Sequence, residues 1–169
     1  MILVTGGAGF IGSHLAEHLL SLGHNVIVYD NFDDFYQGKE ENIQHLLSNN
    51  QFKLIRADIL DYETLSSYIK RADMVFHLAA QPGVRFSLEN PVKTNNVNTL
   101  GTINVLNACK VAGNVKRLIF ASSSSVYGEP TYLPVDEKHP TNPKSIYGAS
   151  KLAAEKYCLI YHEYYIFMH

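Results

Sequence analysis

The chain has 169 residues, a formal net charge of −2 at pH 7, and 14 basic residues scattered against 16 acidic ones. That length makes one domain with a single large core, and a 46% hydrophobic content is ordinary for a globular protein. There is no basic stripe for nucleic acid, and no apolar run reaches the ~20 residues needed to span a bilayer, so neither partner is expected.

The first strand is expected at Ile2–Thr5, where the chain opens. No signal peptide is expected ahead of it, and the only cysteines, Cys109 and Cys158, sit in helix-like patterns. Two buried free thiols in a reducing, cytoplasmic setting are expected rather than a disulfide. The strand runs into glycines at 6, 9 and 12, and a helix pattern follows from Ile11 to Leu22. A strand, glycine turn and helix N-terminus in that order cradle a dinucleotide pyrophosphate. Gly6 permits the turn, Gly9 lets backbone approach phosphate, and Gly12 lets helix and strand touch.

The second strand, Asn25–Tyr29, is closed by Asp30. A carboxylate there accepts hydrogen bonds from the adenosine ribose hydroxyls and repels the 2′-phosphate of NADP. No arginine follows to compensate, which favours NAD; the rival reading of Asp30 is a turn cap on a solvated loop. A helix is expected at Lys39–Ser48 and a strand at Phe52–Arg56, followed by Asp58 as an adenine contact or a plain cap. Next come a helix at Tyr62–Lys70, a strand at Met74–Leu78, a long helix at Val92–Ala112 and a strand at Arg117–Ala121. The proline-bearing stretch from Glu129 to Pro143 reads as a surface loop, and a last helix is expected at Ile146–Tyr161. Strands alternating with helices predict an α/β fold, a doubly wound parallel sheet covered on both faces. A dinucleotide fold of this class carries six strands, and five are counted, with another starting at Tyr-Ile-Phe-Met-His169. The sheet is therefore expected to be incomplete at its C-terminal edge.

Tyr147 and Lys151 stand four residues apart, on one face of the last helix. A free phenol titrates near ~10, too high for a base at neutral pH, and a lysine cation nearby stabilises the phenolate. The preceding strand ends in Ala121-Ser-Ser-Ser-Ser-Val-Tyr-Gly128, which puts hydroxyls at a strand C-terminus, where open α/β sheets bind ligands. His14-Leu-Ala-Glu-His18 matches a zinc-peptidase pattern, but it lies on the helix the glycine turn needs and lacks a third ligand. No metal is expected.

With these motifs assembled, the chain resembles the extended short-chain dehydrogenase/reductase family, in its nucleotide-sugar epimerase/dehydratase branch. The resemblance rests on Thr5-Gly-Gly-Ala-Gly-Phe-Ile-Gly12, Asp30-Asn31, Ala57-Asp-Ile59, His77-Leu-Ala-Ala80, Asn98-Thr-Leu-Gly-Thr102, the serine-rich strand end and Tyr147…Lys151. It implies that residues 1–169 are an NAD-binding Rossmann domain without the C-terminal substrate domain. It further implies that Gly6, Gly9, Phe10, Ile11 and Gly12 hold the pyrophosphate, Asp30 and Asn31 the adenosine ribose, and Asp58 and Ile59 the adenine. Leu78, Ala79, Ala80 and Asn98 would lie along the cofactor, and Tyr147 and Lys151 would reach its nicotinamide end. Ser123 falls at the family's catalytic Ser/Thr position, making Ser123, Tyr147 and Lys151 the implied catalytic group. Ser124 and Ser125 stand where dehydratases carry an Asp-Glu acid/base pair, which argues for a 4-epimerase acting on a UDP-sugar. Arg85, Ser123, Ser124 and Tyr147 would meet the substrate, although Arg85 reads equally as half of an exposed ion pair. The resemblance also implies a homodimer. A decarboxylase or reductase of the same family, and a non-catalytic NAD-binding fragment, stay open as alternatives.

Overall fold

The computed structural model describes residues 1–165. Strands Ile2–Thr5 (β1), Val26–Asp30 (β2), Phe52–Arg56 (β3), Met74–His77 (β4) and Arg117–Phe120 (β5) form one sheet. All neighbours pair in parallel, in the order β3-β2-β1-β4-β5. The helices are Phe10–Ser21 (α1), Lys39–Gln44 (α2), Tyr62–Ile69 (α3), Val84–Glu89 (α4), Pro91–Asn95 (α5), Gly101–Ala112 (α6) and Ile146–Tyr165 (α7).

Side chains of a strand alternate between its faces. Ile2, Val4, Val26 and Val28 therefore pack with Ala16, Leu19 and Leu20 of α1 and Ile43 of α2. Leu3, Ile27, Tyr29 and Val75 point the other way, onto Leu65 and Ile69 of α3 and Val105 and Leu106 of α6. Two buried faces explain why β1 and β2 carry no solvent-facing position, and they define the expected doubly wound α/β fold. β2 and β3 lie on one side of β1, and β4 and β5 on the other. The winding reverses between β1 and β4, and the crevice beyond their C-terminal ends is where such sheets bind ligands.

Several boundaries differ from the sequence expectation. β2 begins at Val26 and takes in Asp30, β4 stops at His77, and β5 stops at Phe120 ahead of a short 3₁₀ turn, Ser124–Val126. α2 ends at Gln44, and α7 continues to Tyr165. α4 was not expected; Pro91, which cannot donate a helical hydrogen bond, separates it from α5. The helix expected over Val92–Ala112 is interrupted by a π-turn, Asn96–Leu100. The wide turn lets Asn98 and Thr102 both face inward. The strand expected at Tyr-Ile-Phe-Met-His169 falls outside the described residues.

Cys109 is buried, whereas Cys158, expected to be buried too, is half-exposed on α7. Burial raises the Cys109 thiol to about 12 and the Cys158 thiol to about 11, so both are protonated and unreactive at neutral pH. Among the described residues no helix is long and apolar enough to cross a membrane, and no three metal-ligating side chains cluster. His14 is turned onto the Phe10 carbonyl, with Nδ1 2.8 Å away.

Candidate cofactor and catalytic site

The turn after β1 is shaped by contacts that exclude side chains. Gly6 has φ +67°, and a Cβ there would stand 2.6 Å from the Ala79 backbone nitrogen. A Cβ on Gly12 would run into the Gly6 carbonyl, so α1 starts directly against the turn. Gly9 precedes α1 without a side-chain cap of its own, and the Tyr36 hydroxyl takes the Phe10 N–H. A Cβ on Gly9 would stand 2.6 Å from the Tyr36 hydroxyl, which lies over the turn. Phe10 and Ile11 begin α1 and are exposed.

Beside this turn lies a cleft of about 390 Å³ whose lining includes Gly6, Asp30, Asn31, Asp58, Ile59, Leu78, Ala79 and Ala80. Asp30 is 5% exposed, and its carboxylate accepts the Ala8 N–H at 3.1 Å and the Phe32 N–H at 2.8 Å. A carboxylate offers roughly four acceptor positions, so Asp30 keeps some for a ligand. Asp58 both lines the cleft and works as a cap: it accepts the Leu60 N–H at 2.8 Å and the Asn31 amide at 2.9 Å. The two walls of the cleft are tied together. Asp33 and Phe35, from the β2–α2 connection, meet Lys93 of α5 at 2.7 Å and the Phe86 ring of α4 at 5.1 Å between centroids.

A buried polar chain joins the cleft to α7. The Ala79 N–H donates to Thr5 Oγ1 at 3.3 Å, and Thr5 Oγ1 lies 2.7 Å from His77 Nδ1. On the other side His77 Nε2 is 3.0 Å from Thr102 Oγ1, which donates to the Asn98 carbonyl at 2.6 Å. Thr102 has spent its proton on that carbonyl, so His77 must donate through Nε2 and accept through Nδ1. Burial, assisted by the Lys151 charge, pushes His77 down to about 3 and keeps it neutral. The Asn98 side chain accepts the Gln81 N–H at 2.7 Å and donates to the Gln81 carbonyl at 3.1 Å and to Ser150 Oγ at 3.0 Å. Asn98→Ala strips three buried partners at once and should cost about 3 kcal/mol, read from urea unfolding.

Ser150 in turn donates to the Tyr147 carbonyl at 2.7 Å, while the Tyr147 N–H bonds Ser87 Oγ at 3.1 Å. A Cβ on Gly148 would stand 2.5 Å from the Ser125 carbonyl, so α7 begins pressed against the serine turn. Ser123 Oγ accepts the Ser125 N–H at 3.2 Å, and Ser124 is exposed. Lys151 is 2% exposed and lies 4.3 Å from the centroid of the Phe120 ring at the end of β5. Burial lowers its ammonium to about 8, which leaves it mostly charged at neutral pH. Asn98, Ser123, Tyr147 and Lys151 thus gather beside the cleft, joined to its lining through Gln81, and not in the lining itself. Arg85 stands exposed on α4, outside the cleft lining, two residues before the Ser87 that bonds Tyr147.

Tyr36, Phe35 and Lys39 line the cleft and were not expected to. One signal pointed to Lys39: it is the only lysine or arginine between Asp30 and Lys53. Dinucleotide chemistry fits these residues, since side-chain-free backbone faces an uncapped helix start and a buried carboxylate stands at the neighbouring strand end.

Fold and crevice define a Rossmann-type nucleotide-binding protein of the extended short-chain dehydrogenase/reductase class. The family model described as GDP-mannose 4,6 dehydratase matches residues 3–169, and the chain belongs to that family. It is 45% identical to a putative UDP-glucose 4-epimerase of Methanocaldococcus jannaschii, over 98% of this chain and 52% of the relative. It is 39% identical to UDP-glucuronic acid decarboxylase 1 of Xenopus tropicalis, over 95% of this chain and 37% of the relative. UDP-glucuronic acid 4-epimerase of Bacillus cereus, solved with UDP-glucuronic acid and NAD, superposes with a TM-score of 0.91 at 41% identity. That match covers 98% of this chain and 53% of the other. The chain thus spans about half the length of these relatives, or less.

Proposed function

We propose that the chain is the cofactor-binding and catalytic half of an NAD-dependent UDP-sugar 4-epimerase. The observation that carries this reading is a cleft that holds the glycine turn and Asp30, with its lining residue Gln81 bonded to Asn98 and through it to Ser150 at the start of α7. The likeness to proteins named as UDP-sugar 4-epimerases supports it. So does the absence of a carboxylate at Ser124 and Ser125, although the family takes its name from a dehydratase.

In this reading the N–H groups at the start of α1 receive the pyrophosphate and Asp30 accepts the adenosine ribose hydroxyls. NAD, held by these groups, would supply the hydride acceptor and donor for the sugar C4. Tyr147 takes the proton of the 4-hydroxyl as phenolate and later returns it. Lys151 holds the phenolate by its charge, and Ser123 donates a hydrogen bond to the same sugar oxygen. Asn98 and Ser150 fix the first turn of α7, and with it the positions of Tyr147 and Lys151. Net redox change is zero, so one cofactor molecule serves repeated turnovers.

The first test is cofactor content: purified chain, once denatured, should release NAD or NADH. Adding UDP-sugar to the native protein extended by its substrate domain should give the near-ultraviolet absorbance of reduced nicotinamide, and the 169-residue chain by itself should not. Tyr147→Phe should slow that reduction about 10³-fold while leaving the dinucleotide bound. A chain that holds no dinucleotide would sink the reading. The relatives named UDP-glucuronic acid decarboxylase favour one second reading, decarboxylation. It predicts loss of CO₂ from UDP-glucuronic acid, whereas epimerisation leaves the carboxylate in place.

A further inference from the structure

Lys39 is a cation with a salt bridge but no hydrogen bond to its Asp30 partner, standing where the cofactor's adenosine would end. Its Nζ lies 3.6 Å from Asp30 Oδ1, with the side chain only 12% exposed. At that separation the two groups form a salt bridge but no hydrogen bond. Its other contact is the face of the Tyr36 ring, 5.1 Å from the centroid. The neighbouring cations are already engaged. Lys93 bonds Asp33 at 2.7 Å, and Arg56 grips both Glu40 oxygens at 2.6 Å. Among the described residues near Asp30, Lys39 alone has its three donors unspent.

We propose that Lys39 determines how strictly the cleft separates NAD from NADP, and that it makes the rejection of NADP partial rather than absolute; this rests on the dinucleotide reading of the cleft. A ribose held by Asp30 would carry its 2′-phosphate next to the carboxylate, whose charge repels it. The same place lies within reach of Lys39 Nζ. Its charge offsets that of Asp30, and its free donors suit phosphate oxygens. Asp30 alone would exclude the 2′-phosphate. Asp30 with Lys39 makes a graded preference for NAD.

The test is the pair of dissociation constants for NAD and NADP, measured by calorimetry on the chain and on two variants. The chain should bind NADP no more than about ten-fold more weakly than NAD. Lys39→Met, which keeps the stem over Tyr36 and removes the charge, should widen that ratio by about ten-fold or more, the size of one lost charge-assisted bond. Lys39→Arg should keep the ratio within a few-fold, and NAD binding by each variant reports that it is folded. An equal loss for both cofactors in Lys39→Met would overturn the proposal, because Lys39 would then serve the pyrophosphate they share. Failure of the unmodified chain to bind NADP while NAD binds would overturn it as well, with the dinucleotide reading intact. If neither cofactor binds, the reading of the cleft falls and the role of Lys39 with it.

Discussion

Lys151→Met should make the chain more stable at neutral pH by about 2 kcal/mol, while weakening its hold on a dinucleotide. Lys151 is almost wholly buried, and the aromatic face of Phe120 is its close partner. Burial lowers its pKa from 10.5 to about 8, and the raising effects of Cys158 and Glu155 are smaller. Every tenfold loss of proton affinity corresponds to about 1.4 kcal/mol, so the buried charge costs about 3 kcal/mol, partly offset by the cation–π contact. The direction with pH follows from proton binding. Below about 8 both folded and unfolded chains carry the charge, and the folded state bears the full penalty. Between about 8 and 10.5 the unfolded chain keeps its proton while the folded one loses it, so stability rises with pH through that window. The advantage of Lys151→Met should therefore be large in urea unfolding at pH 7 and nearly gone at the top of the window. A variant no more stable than the parent at pH 7 would contradict this account. A stabilising substitution at such a position marks a residue kept for chemistry at the expense of the fold.

Gly6→Ala should destabilise the chain by about 3 kcal/mol, from left-handed backbone strain together with overpacking. Gly6 has φ +67°, and the added Cβ would lie 2.6 Å from the Ala79 nitrogen and 2.8 Å from its Cα. Both obstacles are backbone, so relief requires the ends of β1 and β4 to part. Gly23 is the internal control. It also has positive φ, +81°, yet nothing lies within 4 Å of its added Cβ. Gly23→Ala should cost only about 1 kcal/mol, the strain alone. Equal losses in the two variants, measured by urea midpoints, would show that crowding at Gly6 contributes nothing.

The sheet and the glycine turn were legible in the sequence because they rest on local pattern. Strand-length apolar runs set β1 to β5, and Gly6, Gly9 and Gly12 announce a turn wherever a strand feeds a helix. Asp30 and the Tyr147–Lys151 pair were visible for the same reason, each lying beside the element that positions it. What stayed hidden depends on distant segments meeting. Thr5 and His77 are 72 positions apart, and Asn98 and Ser150 are 52 apart, so no window of sequence contains the network they build. The π-turn was invisible because a single wide turn leaves the apolar repeat of Val92–Ala112 almost unchanged. Gly101, which follows the turn, packs against the distant Ile59 side chain, where a Cβ would collide with it. Asp58 reads in the sequence as ligand contact or cap, and the folded chain gives it the cap while leaving it on the cleft wall. Lys39 carries a faint mark, as the only lysine or arginine between Asp30 and Lys53, but nothing in the sequence places it beside the Asp30 carboxylate nine residues back.

The clasp between the cleft walls carries a consequence for rates. Asp33 with Lys93 and Phe35 with Phe86 join the β2–α2 connection to α5 and α4. Any widening of the crevice has to part a salt bridge and an aromatic pair together. A ligand whose release needs that widening leaves on the timescale of the opening rather than of its own contacts. Salt that screens the partly exposed Asp33–Lys93 pair shortens the stay without touching the contacts beneath it.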